Sequence, residues 1–184
     1  FFGVMQGGKI EDWRRASIIA AQALEYGRGL IVPGARLLDA TEKIEAKIIE
    51  FGGICAFPVQ ISCDATAAHY CAEADDSVIF GKQLVSLDVG VCVNGTIGDT
   101  AVSVDLSGEN AELVLASKEA LDAAISVIKD GITLGEIGRA IKEKIAEYGF
   151  SPVRNLSGHG LDLYNIHAKP TIPNFDTGDN TQLT

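Results

Sequence analysis

Residues 84–105 read LVSLDVGVCVNGTIGDTAVSVD, two runs rich in valine and other strand formers joined by Asn94-Gly95. Asn-Gly between such runs is a strong short-range hairpin signal, because both central residues of a type I′ turn need positive φ. A two-residue loop pairs Val93 with Thr96. Counting back along that ladder sets Asp88 opposite Ala101 and Asp99 opposite Gly90. The two aspartates then share one face as diagonal neighbours, with Cβ atoms about 7 to 8 Å apart. Two carboxylates on an otherwise apolar hairpin repel each other and are costly to desolvate unless a cation, a shared proton or basic partners compensate. On pattern alone, a hairpin with both aspartates turned to solvent is an equal alternative.

The rest of the chain bounds what such a hairpin can serve. At 184 residues, 47% hydrophobic and 22% charged, it is long enough to bury a real core. A net charge of −10 argues against nucleic acid or an anionic membrane as partner, since both call for a basic patch. Cys55, Cys63, Cys71 and Cys92 form no C-x-x-C pair, which favours reduced thiols over a disulfide framework or a zinc knuckle. No run approaches the roughly 18 apolar residues that span a bilayer. The opening FFGVMQGG has neither the basic start nor the long apolar stretch of a signal peptide, and no initiator Met.

Four helices and three further strands are expected around the hairpin. The first helix runs from Glu11 to about Tyr26 and stops before Gly27. Asp39 with Glu42 makes a capping-box pattern for a second, ending at Phe51 before Gly52-Gly53. Asn110 caps a third that reaches about Asp130. Thr133 with Glu136 gives another capping box, for a helix ending at Tyr148 before Gly149. Strands are expected at 56–62, 78–80, 84–93, 96–105 and 152–157. An internal repeat also emerges. Gly34-Ala-Arg-Leu37 aligns with Gly131-Ile-Thr-Leu134 at an offset of 97, and Ile44, Lys47, Ile48 and Glu50 match Ile141, Lys144, Ile145 and Glu147. It predicts two similar α+β halves.

Three histidines fall where loops or strand ends are expected: His69 in Ala67-Ala68-His69-Tyr70, His159 between Gly158 and Gly160, and His167 in Ile166-His167-Ala168. Two aspartates with an imidazole suit a borderline divalent ion such as Mn, Fe, Co or Zn. Spacing alone goes no further, and a lone histidine is more often a hydrogen-bonded structural residue than a ligand.

Three blocks in order, AFPVQISCDATAAHY (56–70), LDVGVCVNGTIGDTAVSVDL (87–106) and NLSGHGLDLYNIHAKPTIPN (155–174), resemble the archaeal branch of the type II methionine aminopeptidases. These share the pita-bread fold with prolidase and creatinase. The resemblance implies an α+β pita-bread domain over 1–184, with pseudo-symmetric halves at about 11–75 and 108–184 around hairpin 84–105 and antiparallel sheet covered by helices. It implies Asp88, Asp99 and His159 as metal ligands, His69 and His167 as catalytic and substrate-binding residues, and Phe57 and Ile166 as walls of a methionine pocket. It implies a cytoplasmic, monomeric metalloprotease that holds two divalent metal ions, Co, Mn, Fe or Zn. Their activated water removes the N-terminal methionine from nascent chains and methionyl peptides, with His69 near the scissile amide and His167 at the developing oxyanion.

The resemblance also calls for two glutamate ligands that match no position up to Thr184; Glu136, Glu143 and Glu147 lie on helices. Three of five expected ligands are therefore present, which predicts a C-terminally truncated chain with weak metal binding and no appreciable peptidase activity by itself. The competing readings are a prolidase-type Xaa-Pro dipeptidase and a non-catalytic pita-bread binding protein. The spacing from AFPVQIS to AAHY and the IHAKPTIPN block favour the aminopeptidase. The joint presence of Asp88, Asp99 and His159 counts against the binding protein.

Overall fold

The structure is a computed structural model that describes residues 5–184, with side chains from residue 7 onward; the first four residues of the domain expected over 1–184 lie outside it. The elements run β1 (Met5–Gln6), α1 (Ile10–Leu30), α2 (Leu37–Glu50), β2 (Ile54–Cys55), β3 (Gln60–Cys63), β4 (Leu84–Val93), β5 (Thr96–Asp105), α3 (Ala111–Val127), α4 (Leu134–Glu147), β6 (Ser157–Asp162) and β7 (Asn165–Pro173). They divide into two compact units. One holds residues 6–110 and 162–166, the other residues 111–161 and 167–184 together with Met5.

The hairpin organises the first unit. Asn94 and Gly95 take φ of 51° and 90°, so β4 and β5 pair from Val93↔Thr96 outward in the register expected from the turn, through Gly90↔Asp99 and Asp88↔Ala101. Along its other edge β4 pairs with β3 from Gln60↔Asp88 to Cys63↔Val85, and with β2 at Cys55↔Val91 and Ile54↔Cys92. Side chains alternate across a strand. Val85, Leu87, Val89 and Val91 are fully buried, in one core with Ala16, Ala20 and Ala23 of α1 and Ile44 and Ile48 of α2. Each such burial contributes roughly 1.5–3 kcal/mol, and together they lock the face that Asp88 presents. Asp88 and Asp99 are thereby turned away from the helix layer.

Helix α1 runs four residues past the expected stop at Tyr26. Gly27 is a packing residue there rather than a terminator: a Cβ on it would lie 2.7 Å from Ile44 Cδ1 and 2.8 Å from Leu87 Cδ2, so only hydrogen lets α1 sit this close to the sheet. Helix α2 starts at Leu37, with Arg36 as N-cap and no side-chain cap, so the Asp39 and Glu42 pattern is not used as a capping box. The Thr133 and Glu136 box is fully formed, with Glu136 N donating to Thr133 Oγ1 at 3.2 Å and Thr133 N donating to Glu136 Oε2 at 2.9 Å. Helices α2 and α4 have 14 residues each and start at Leu37 and Leu134, the offset of the sequence repeat.

Elsewhere the strands depart from expectation. Of the strand expected at 56–62 only the second half forms, as β3, after the Phe57-Pro58 break that separates it from the short β2 at Ile54–Cys55, and 78–80 shrinks to a single bridge, Arg36↔Ile79. Helix α3 begins after Asn110 as expected but ends at Val127, short of Asp130. The strand expected at 152–157 lies instead at Ser157–Asp162, and β7 has no counterpart among the expected strands. The turn between them lacks an Asn-Gly signal; Tyr164 adopts φ 54° in its place. His159 and His167 therefore stand within strands, not in loops. The core of the second unit is Ala124, Ile132, Leu134, Ile137 and Ile172. The four cysteines are free thiols, and burial pushes that of Cys55 up to about 11. Among the described residues no helix is long and apolar enough to cross a membrane.

Candidate metal and substrate site

Asp88 and Asp99 meet on the open face of the hairpin, and both are half-buried. Burial first, then the charge of Asp99, raises the Asp88 carboxyl to about 7, while the His69 imidazole opposes that rise. Asp99 is raised to about 6, again chiefly by burial, and the hydrogen bond it shares with Asp88 pulls the other way. The two titrate as a pair. Asp88 Oδ1 is shielded from solvent and accepts no hydrogen bond. A buried carboxylate oxygen with no donor, beside a second carboxylate, has the donor set and the electrostatic need that a divalent cation meets. The residues on this face fit such an ion.

The same face carries more of the expected site. Gly90 lies between the two aspartates, opposite Asp99, and a Cβ there would strike the Phe57 ring. Phe57 therefore leans over the aspartate face, held by the break between β2 and β3, where Ala56 N donates to Gly90 O at 2.9 Å. His69 sits in the loop after β3 at φ 65°, a region histidine tolerates better than most residues. The loop is tied to β3 on its far side: Ile61 N donates to Tyr70 O at 3.0 Å, Tyr70 N donates to Ser62 Oγ at 3.2 Å, and Gln60 bridges to Cys71. Tyr70 Oη in turn donates to buried Asp76 at 2.6 Å. His69 itself is exposed, and close enough to Asp88 to act on its charge.

In the second unit His159 on β6 and His167 on β7 pack edge to face, with ring centroids 4.6 Å apart and planes at 85°. His159 Nδ1 lies 3.2 Å from Gly160 O. With hydrogen on Nδ1, that carbonyl accepts it and the lone pair sits on Nε2, the tautomer in which an imidazole ligates through Nε2. Ile166 is half-buried at the start of β7 and groups with the first unit. Among the described residues no set of three or more His, Cys, Asp or Glu is gathered tightly enough to hold a metal ion. What each unit builds on its own is an aspartate pair with Phe57 and His69, and a histidine pair.

Composition and motif spacing passed over Gln60. It pairs directly with Asp88, and its Oε1 is buried with no hydrogen-bond partner. The alternation in Val59-Gln60-Ile61 was its available signal: Val59 and Ile61 are fully buried, so Gln60 belongs to the opposite face.

Residues 11–184 match the model of metallopeptidase family M24. The chain belongs to that family. Its fold is the family's pita-bread arrangement of helices and antiparallel sheet. It is 45% identical over 163 residues to a methionine aminopeptidase of Archaeoglobus fulgidus, and 44% identical over 162 residues to one of Thermococcus onnurineus. Those matches cover 88% of this chain but 56% and 55% of the relatives, so the chain spans about half the length of the curated relatives it matches. Among solved structures, a methionine aminopeptidase of Thermotoga maritima superposes with a TM-score of 0.87 at 29% identity, over 97% of this chain and 76% of that one. A prolidase of Pyrococcus furiosus superposes with 0.80 at 26% identity, over 98% and 54%.

Proposed function

We propose that this M24 chain serves the removal of N-terminal methionine from nascent proteins and methionyl peptides, and that Asp88, Asp99 and His159 are metal ligands. The observation that carries the reading is the half-buried aspartate pair with an undonated Asp88 oxygen, on a hairpin whose register is fixed from both sides. Two divalent ions, Co, Mn, Fe or Zn, would supply charge stabilisation and water activation at neutral pH. The aspartates make that loading depend on proton release. Both carboxyls are held protonated well above the ordinary aspartate range, so cation binding displaces protons and strengthens as pH rises toward about 7.

The remaining residues bind and orient. His69, exposed on its braced loop, donates a hydrogen bond near the scissile amide. His167 donates to the developing oxyanion, a task within reach of a neutral or a charged imidazole. Phe57, which crowds Gly90, forms with Ile166 an apolar slot for an unbranched thioether. Such a slot separates side chains by only about 1–3 kcal/mol per methylene, so selectivity also needs size exclusion. The acidic chain works as a cytoplasmic monomer, without nucleic acid or membrane as partner.

The likeness to prolidase sets the test. Met-Ala-Ser and Xaa-Pro dipeptides are offered, with added Mn or Co, to this chain and to a chain extended to the length of its curated relatives. Methionine release by the extended chain without Xaa-Pro cleavage is expected, and this 184-residue chain alone is expected to release no appreciable methionine. Xaa-Pro cleavage without methionine release would replace the reading with a dipeptidase.

A further inference from the structure

Gln60 stands in the middle of the aspartate face without a structural task. It pairs with Asp88 on one side and bridges to Cys71 on the other, so these side chains project from one face of the sheet. Asp99, diagonal to Asp88, and the Phe57 ring over Gly90 complete the surroundings. The backbone on either side of Gln60 is fixed, by Ile61 N donating to Tyr70 O at 3.0 Å and by Val59 N donating to Glu45 Oε1 at 3.1 Å. Yet Gln60 Oε1 is buried and accepts nothing. An amide oxygen left without a donor is costly, and an apolar side chain of the same length would avoid the cost. A retained acceptor in a ligand-facing position points to a donor that arrives with the ligand.

The chemistry of that donor is restricted. A third carboxylate beside Asp88 and Asp99 would add repulsion, so a neutral acceptor is what this face tolerates. The one N–H donor that every aminopeptidase substrate carries, and that blocked or internal peptides lack, is its free α-amino group. We propose that Gln60 is a substrate-binding residue whose Oε1 accepts a hydrogen bond from the α-amino group of the N-terminal residue. The assignment rests on the aminopeptidase reading. It makes Gln60 a checkpoint for the free N-terminus, separate from the apolar slot that reads the side chain.

The test uses the 184-residue chain with added Zn, which permits nuclear resonance. Met-Ala-Ser is compared with its des-amino counterpart, identical but lacking the α-amino group. The wild-type chain is expected to bind Met-Ala-Ser about 10- to 150-fold more tightly, the range of one hydrogen bond to a charged donor. The side-chain amide resonances of Gln60 are expected to shift with the amino peptide alone. Gln60→Leu removes the preference and leaves des-amino affinity unchanged; Gln60→Asn, still a neutral amide acceptor, keeps part of the preference. A Gln60→Leu chain that retains the preference overturns the assignment, as does one whose only defect is weaker zinc binding, which would make Gln60 an anchor for Asp88. Equal binding of both peptides by wild type also overturns it. Binding of neither peptide also overturns the assignment, and the aminopeptidase reading is then decided separately by methionine release from the extended chain. Should Gln60→Leu fail to fold, the Gln60 resonances in the wild-type chain decide.

Discussion

Replacing Asp88 by Asn should stabilise the metal-free chain at pH 8 and not at pH 5. The sign follows from the direction of the shift. A carboxyl raised on folding binds more protons in the native state than in the unfolded one between its ordinary 3.8 and about 7, so stability falls as pH rises through that window and is level above it. A rise of about three units, at 1.36 kcal/mol each, makes the cost of an ionised Asp88 on the order of 4 kcal/mol. Coupling to Asp99 means the loss belongs to the pair. Asn avoids the charge but keeps a buried polar group without a partner, which returns about 1–3 kcal/mol. The net gain at pH 8 is about 1–3 kcal/mol, or roughly 2–10 °C for a chain of this size. Urea unfolding in chelator, followed by fluorescence of the single tryptophan Trp13 in the same unit, reads it directly. The reasoning is refuted if D88N lowers stability equally at both pH values, or if the wild-type chain gains stability between pH 5 and pH 8.

Other outcomes follow from the same geometry. Added Mn or Co should raise the wild-type unfolding midpoint at pH 8 by more than at pH 5.5, and the increment should vanish in D99N. G27A, favourable by helix propensity, should destabilise by about 1–3 kcal/mol in urea because its methyl overlaps Ile44 and Leu87. Asp105 accepts from the Ser107 hydroxyl and from the backbone N–H groups of Ser107, Gly108 and Asn110, which hold its carboxyl down at about 2. Its contribution is present above 3.8 and lost as pH falls toward 2, so D105A should lower the melting temperature at pH 7 and make no difference at the acid end of a melting series.

The hairpin was legible because its register depends on two local facts, the Asn94-Gly95 turn and the alternation of buried valines, and both act over adjacent residues. The Thr133 box was legible for the same reason. Where a local signal competed with packing, packing won. Gly27 looks like a helix stop, yet its missing side chain is what admits Ile44 and Leu87. Asp39 and Glu42 look like a box, but α2 begins earlier, where Leu37 N donates to Val78 O at 2.9 Å across the chain. The glycines around His159 read as a loop, and only the pairing of β6 with β7 reveals a strand. The aspartate, histidine and phenylalanine positions came from motif order, which carries residue identity but no distances. Gln60 escaped because its significance lies in standing across from Asp88, a relation between strands that sequence does not print.

Asp88, Asp99 and His159 are each proposed as metal ligands, and the visible spectrum of Co(II) added to the purified chain at pH 7.5 tests that most directly. Weak binding is predicted, with absorption bands that are lost in D88N, D99N and H159A and persist in H167A. Cobalt bands unchanged by D88N and D99N would contradict it.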